Sequence, residues 1–171
     1  EIKGARQSSS KLLMFVPHAL FLIVAALVLQ FNSLRRPAII LLTIPLVFIG
    51  ASFGLWLFGA FFDFTAMLGL FSLAGIIINN GIVMIERIDQ GRQEGMKVNQ
   101  AIIAAALARS RPIIMTTITT VAGLVPLALF GGEFWFGMAI VIMCGLAIGT
   151  VLTLGVIPVL YSIMFQLWRD T

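Results

Sequence analysis

Long apolar runs alternate with short polar turns along the whole chain. A helix needs about 20 mostly apolar residues to cross a hydrocarbon core about 30 Å thick, and five runs qualify. They cover residues 12–30, 37–59, 64–86, 112–130 and 134–167. The pattern therefore predicts an all-α membrane protein, built as a bundle of five transmembrane helices.

The longest polar segment lies between the third and fourth runs. Within residues 94–108, apolar residues such as Met96 and Ile102 recur at near-helical spacing beside the polar Lys97. This segment is too short and too polar to cross a bilayer. It predicts one short amphipathic helix at the cytoplasmic interface of the membrane.

Lysine and arginine residues set the predicted orientation, because they concentrate in the cytoplasmic loops of membrane proteins. Five spans put the chain ends on opposite sides, with eight basic residues on the side of the C-terminus and three on the side of the N-terminus. We therefore expect residues 1–11 to form a periplasmic connection and residues 168–171 a cytoplasmic tail. A basic N-terminus without Met on the outer side also suggests a fragment of a longer polypeptide.

Composition narrows the class of protein further. Charged residues make up 11% of the chain, against about 25% in soluble domains, so a soluble globular fold is excluded. The basic residues are scattered rather than gathered into a stripe, which argues against nucleic acid and leaves the lipid bilayer as the expected partner. One cysteine and one histidine predict no metal site. The sequence contains neither a Ser/His/Asp set nor a Gly-rich phosphate-binding loop, so no motif predicts an enzyme or a bound cofactor.

Two patterns concern packing and membrane anchoring. Small residues at the spacings Gly50/Gly54 and Gly145/Gly149 predict close helix packing. Aromatic residues near the span ends are interpreted as interfacial anchors: Trp56, Trp135, Tyr161 and Trp168.

Two adjacent amides lie inside the third span. Asn79 and Asn80 are about two turns from its cytoplasmic end. Successive residues of a helix point about 100° apart, so the two side chains face different surroundings. Two explanations for these amides inside the membrane stay open: one forms an interhelical hydrogen bond worth about 1 kcal/mol, or one lines a functional polar cavity.

The fourth span follows a basic segment and carries several hydroxyls. Arg109 precedes Thr116 by seven residues, two helical turns, and Thr120 is one turn further along the same face. A hydroxyl ladder beside a cation is suited to carrying protons or ions. The alternative is that the threonines bond their own helix carbonyls and that the arginine reaches lipid phosphates.

Three segments resemble one known family. Residues 75–90 read GIIINNGIVMIERIDQ, residues 111–132 read RPIIMTTITTVAGLVPLALFGG, and residues 155–161 read GVIPVLY. In this order they closely resemble the C-terminal membrane part of resistance-nodulation-division (RND) efflux permeases. The resemblance implies the last five of twelve spans of a proton-driven antiporter of drugs, lipids or metals, located in the bacterial inner membrane.

The resemblance also implies roles for single residues. Arg109 and Thr116 match positions of the family's proton relay. Asn79 stands where many drug exporters have a lysine that pairs with two aspartates of the N-terminal half. Asn79 and Asn80 would then be hydrogen-bond partners of such relay carboxylates, which this chain does not supply.

Partners and alternatives follow from the same resemblance. It implies association with the N-terminal half of the same transporter, a homotrimer, and cooperation with a periplasmic adaptor and an outer-membrane channel. The alternatives are a non-transporting membrane scaffold or assembly subunit, and a protein-export or lipid-transport member of the superfamily.

Overall fold

The computed structural model describes residues 2–33 and 35–166, which form five α-helices and, within these ranges, no strand. The helices are α1 (Ile2–Phe31), α2 (Arg35–Phe58), α3 (Phe64–Gln93), α4 (Val98–Phe130) and α5 (Gly132–Gln166). The predicted all-α bundle is confirmed. Trp168 and the predicted tail at 168–171 lie outside the described residues.

Four of the described helices are long and apolar enough to cross a membrane. They are α2 from Arg36, α3, α4 and α5 up to Phe165. In α1, the apolar segment Val16–Phe31 is shorter than these four. Five spans, and the orientation of the chain ends, therefore stay predictions.

The amphipathic segment differs from the sequence-based expectation, because it is not a separate helix. After a turn at Gly95, where φ is +87°, α4 begins at Val98 and continues without a break through residue 112 to Phe130. Alanines at 101, 104, 105, 106 and 108 favour helix strongly. The apolar face packs on protein: Ala101, Ile102 and Ala105 are buried, and a Cβ on Gly91 of α3 would lie 3.2 Å from the Cβ of Ala101.

The described residues fall into two compact units, which are divided between Ala38 and Ile39. In the first unit, α1 ends at Phe31, whose carbonyl oxygen accepts a hydrogen bond of 3.0 Å from Nη1 of Arg36. The second unit contains most of α2 and the helices α3 to α5.

Within the second unit, α3 and α5 run parallel. Residues in contact are separated by about 70 positions of sequence at both ends of the pair: Thr65 contacts Phe134, and Asp89 contacts Tyr161. A constant separation means that the two helices run in the same direction. The buried core where α2, α3 and α5 meet includes Val47, Ala51, Leu70, Leu73, Ile77, Val141 and Leu146. The predicted glycine packing is confirmed, because a Cβ on Gly50 would lie 3.2 Å from the Cα of Gly145.

Candidate functional site

Asn79 and Asn80 point into different surroundings. The side chain of Asn79 is exposed, whereas Asn80 is half-buried. The amide nitrogen Nδ2 of Asn80 is buried and has no hydrogen-bond partner among the described residues. A buried donor without an acceptor costs about 1–3 kcal/mol, so the unpaired Asn80 amide raises the free energy of this conformation by about that amount.

Asn80 lines a narrow crevice between α3, α4 and α5. The crevice has about 170 Å³ of empty space, but no water-sized sphere fits inside it. Its other walls include Ile113 of α4 and Thr153 of α5. In this structure, water therefore cannot reach the Asn80 amide through the crevice.

Asn79 belongs to an uncovered face of α3. This face carries Ser72, Gly75 and Asn79, which are spaced three and then four residues apart and so lie on one side of the helix. All three residues are exposed. A Cβ added to Gly75 would meet no atom within 4 Å. This face, which we call the α3 amide face, leaves room for a closely packed neighbouring helix.

The hydroxyls of α4 bond their own helix, as one sequence-based alternative expects. Thr116 is exposed and donates a hydrogen bond of 2.9 Å to the carbonyl oxygen of Ile113. Thr119, also exposed, donates one of 2.7 Å to Met115. Each hydroxyl oxygen keeps acceptor capacity toward the outside of the bundle.

Arg109 is half-buried, whereas Arg111, two residues later, is exposed. Seven residues of helix place the Cα atom of Arg109 about 10 Å along the axis from that of Thr116. Among the described residues, no hydrogen bond joins Arg109, Thr116 and Asn79 to one another. The predicted site residues therefore lie on two helices, α3 and α4, and are not joined by hydrogen bonds into one network.

Sequence reasoning missed a polar link between α4 and α5. The Oγ1 atoms of Thr117 and Thr150 lie 2.8 Å apart and share a hydrogen bond. Thr153, buried one turn further along α5, donates to the carbonyl oxygen of Thr150 at 3.1 Å. The available signal was the presence of Thr150 and Thr153 inside an otherwise apolar run.

Sequence reasoning also missed a cluster near the C-terminal ends of α3 and α5. Tyr161 is completely buried, so its interpretation as an interfacial anchor is wrong. Its hydroxyl donates to Oδ1 of Asp89 at 2.7 Å and accepts from Nη1 of Arg92 at 3.1 Å. Phe165 stacks on the Tyr161 ring with centroids 4.3 Å apart, and the Arg92 guanidinium lies 5.0 Å from the Phe165 centroid.

Comparison with known proteins gives a consistent result. The sequence model of the AcrB/AcrD/AcrF family matches residues 1–165. The chain is 35% identical to the swarming motility protein SwrC of Bacillus subtilis, in an alignment that covers 92% of this chain and 15% of SwrC. It is 34% identical to the cobalt-zinc-cadmium resistance protein CzcA of Cupriavidus metallidurans, over 96% of this chain and 16% of CzcA.

Further relatives include the multidrug resistance protein MdtC of Erwinia tasmaniensis, 38% identical over 95% of this chain and 16% of MdtC. Among solved structures, a heavy metal efflux pump superposes with a TM-score of 0.85 at 30% identity, covering 96% of this chain and 17% of the pump. The chain thus spans about one sixth of the length of these relatives.

Proposed function

The chain belongs to the AcrB/AcrD/AcrF family of RND efflux permeases, as part of their membrane domain, and we propose that it couples proton movement to efflux. In this proposal the chain is the C-terminal membrane half, and the proton-carrying acids lie on the N-terminal half. The observation that supports it best is the α3 amide face, which presents Asn79 beside the open space at Gly75.

The chemistry of an amide suits such a contact. Asn79 can donate a hydrogen bond to a carboxylate oxygen in either protonation state of the acid. Unlike a lysine, it adds no positive charge that opposes protonation of that acid. Asn79 would thus position a relay carboxylate, while the acid itself takes up and releases the proton.

Arg109 and Thr116 would form the cytoplasmic part of the proton path. The half-buried guanidinium of Arg109 supplies a fixed positive charge near the cytoplasmic end of the bundle. The exposed Thr116 hydroxyl can accept a hydrogen bond from water while it donates to Ile113. Asn80, about 100° around α3 from Asn79, would contribute a polar amide at the crevice between α3, α4 and α5.

The cellular setting belongs to the same proposal. The transporter would be a homotrimer in the bacterial inner membrane, with the N-terminus of this chain in the periplasm, working with an adaptor and an outer-membrane channel. The relatives named above include a multidrug resistance protein and a metal resistance protein. We therefore propose the membrane mechanism common to both, with drugs and metal cations as candidate substrates.

The test uses two variants of the complete transporter and two matched controls. Asn79→Ala and Arg109→Ala should lower proton-driven efflux of ethidium or Zn²⁺ about tenfold, as expected for loss of a contact worth about 1.4 kcal/mol. The controls Asn99→Ala and Arg111→Ala make the same chemical changes at exposed positions and should retain efflux.

Protein amounts in the membrane must be equal for this comparison. Undiminished efflux in both site variants would remove Asn79 and Arg109 from the mechanism. Loss of trimer assembly, with normal efflux from the trimers that remain, would instead favour the scaffold alternative.

A further inference from the structure

Helices α3 and α5 are fastened to each other at both ends. At their N-terminal ends, the buried Thr65 hydroxyl lies 2.7 Å from the carbonyl oxygen of Phe134 and is shared with the carboxylate of Asp63. At their C-terminal ends, Tyr161 bonds Asp89 and Arg92. Sliding or rotating one helix against the other would break both sets of hydrogen bonds.

The middle of the same pair interlocks sterically. Side-chain atoms of Leu73 and Ile77 occupy the space where Cβ atoms would stand on Gly145 and Gly149, with Ile77 Cδ1 at 2.7 Å from the position on Gly149. In addition, α3 is the only helix in the described ranges that contains no proline. The α3–α5 pair therefore lacks an internal place to bend on its α3 side.

Within this chain, helix α4 makes very different contacts along its length. Its buried residues are Ala101, Ile102, Ala105 and Ile113, and none of the described residues after Ile113 in α4 is buried. Only 6% of its apolar window is buried, against 44% for α3 and 50% for α5. Among the described residues, the Thr117–Thr150 hydroxyl pair is the one side-chain hydrogen bond from this outer part to the α3–α5 pair.

Pro112 lies at the boundary between the two parts of α4. Proline has no N–H, so the helix lacks its hydrogen bond to the carbonyl oxygen of Ala108, and the ring crowds the preceding turn. Helices bend preferentially at such positions. The part that holds Ala101, Ile102 and Ala105, residues 98–111, and the part in which no described residue is buried, residues 114–130, are thus joined through a weakened turn at Pro112.

The crevice beside Asn80 is where such a bend would have an effect. Its wall on the α4 side is Ile113, the first residue after Pro112, and its other walls belong to α3 and α5. Moving residue 113 outward would open the crevice and allow the unpartnered Nδ2 of Asn80 to meet water. The closed crevice leaves that donor unsatisfied, which favours an open state.

We propose that α3 and α5 move as one body during transport, and that residues 113–130 of α4 swing against them about Pro112 to admit water to Asn80. The inference rests on the proposed transport function. It adds a hinge and a hydrated crevice at Asn80, which lies about 100° around α3 from Asn79 and the α3 amide face. Water would then reach Asn80 in one state and be excluded from it in the other.

Two engineered disulfides in the complete transporter test whether α4 moves against α5 while α3 and α5 stay fixed to each other. Both are introduced after Cys144→Ser, because Cys144 is a free thiol next to one of the sites. Thr117→Cys with Thr150→Cys joins α4 to α5, where the native oxygens are 2.8 Å apart. Leu73→Cys with Gly145→Cys joins α3 to α5, where Leu73 Cγ lies 3.4 Å from the Cβ position of residue 145. Both separations suit a disulfide after small adjustments.

The expected result is that oxidation of the α4–α5 pair lowers ethidium or Zn²⁺ efflux at least tenfold and that reduction restores it. Oxidation of the α3–α5 pair should leave efflux within twofold of its reduced form. Retained efflux with the α4–α5 disulfide, or lost efflux with the α3–α5 disulfide, overturns the inference. Failure of the unsubstituted transporter to show proton-driven efflux would instead count against the proposed function.

A second measurement does not depend on transport. Spin labels at Phe71 and Leu129 report the distance from α3 to the outer part of α4, and labels at Phe71 and Val151 report the distance from α3 to α5. All three residues are exposed. We expect two distance populations for the first pair and one narrow population for the second. Equally narrow distributions for both pairs would overturn the hinge.

Discussion

Replacing Gly54 by alanine should separate α2 from α5. A Cβ on residue 54 would overlap the Cβ of Cys144, lie 2.9 Å from its Sγ atom, and lie 3.4 Å from the carbonyl oxygen of Ile140. Non-bonded carbon atoms prefer about 3.5–4.0 Å, and sulfur is larger than carbon. The helices must therefore move apart by several tenths of an ångström or more.

The cost follows from overpacking a well-packed interface. Adding a methyl group where the neighbour cannot move costs about 1–3 kcal/mol. The clash involves the Cβ of Cys144, which is fixed to the helix backbone, so rotation of the thiol does not relieve it. The higher helix propensity of alanine returns up to about 1 kcal/mol, and the net effect should be destabilising.

The assay is thermal inactivation of the complete transporter in detergent, followed by the loss of intact trimer on size-exclusion chromatography. Gly54→Ala should lower the midpoint temperature by a few degrees. Gly155→Ala is the matched control, because it is the same substitution in a membrane helix where a Cβ meets nothing within 4 Å. Its midpoint should stay equal or rise.

A second substitution checks the mechanism of the effect. Cys144→Gly removes the obstructing Cβ, so the double variant Gly54→Ala/Cys144→Gly should be more stable than the sum of the single effects predicts. Equal midpoints for Gly54→Ala and Gly155→Ala would refute the reasoning. Strict additivity in the double variant would also refute it, because the clash would then not be the cause.

Two further predictions concern topology and the cluster at Tyr161. A cysteine introduced at Arg92 should resist an impermeant thiol reagent in intact spheroplasts while one at Ser9 reacts, because the basic residues favour the cytoplasm on the C-terminal side; the reverse labelling would contradict the orientation. Tyr161→Phe removes a hydrogen bond of 2.7 Å to Asp89 and should lower stability by roughly 1–2 kcal/mol, as thermal inactivation would show by a lower midpoint; an unchanged midpoint would mean that the hydrogen bond contributes no stability.

The positions of the apolar helices could be predicted from sequence because the bilayer imposes a length that shows directly in the apolar runs. The close approach of Gly50 to Gly145 was also predictable, since small residues at that spacing allow backbones to meet. The adjacent positions of Asn79 and Asn80 indicated that they face different surroundings, and the structure shows one exposed and one half-buried.

The remainder depended on contacts between residues distant in sequence. Tyr161 resembles an interfacial anchor until Asp89, 72 residues earlier, is seen to bind its hydroxyl. The amphipathic pattern of residues 94–108 is the same whether its apolar face meets lipid or protein. Burial of Ala101 and Ala105 shows that it meets protein, and this explains why the segment joins the following span in one helix.

Proton flux through the complete transporter tests the central claim most directly. The transporter is reconstituted in liposomes that enclose a pH-sensitive dye, a proton gradient is imposed, and ethidium or Zn²⁺ is added as substrate. We predict that substrate accelerates the dissipation of the gradient, and that Asn79→Ala removes the acceleration whereas Asn99→Ala retains it. Substrate export with no accompanying proton flux would contradict the account.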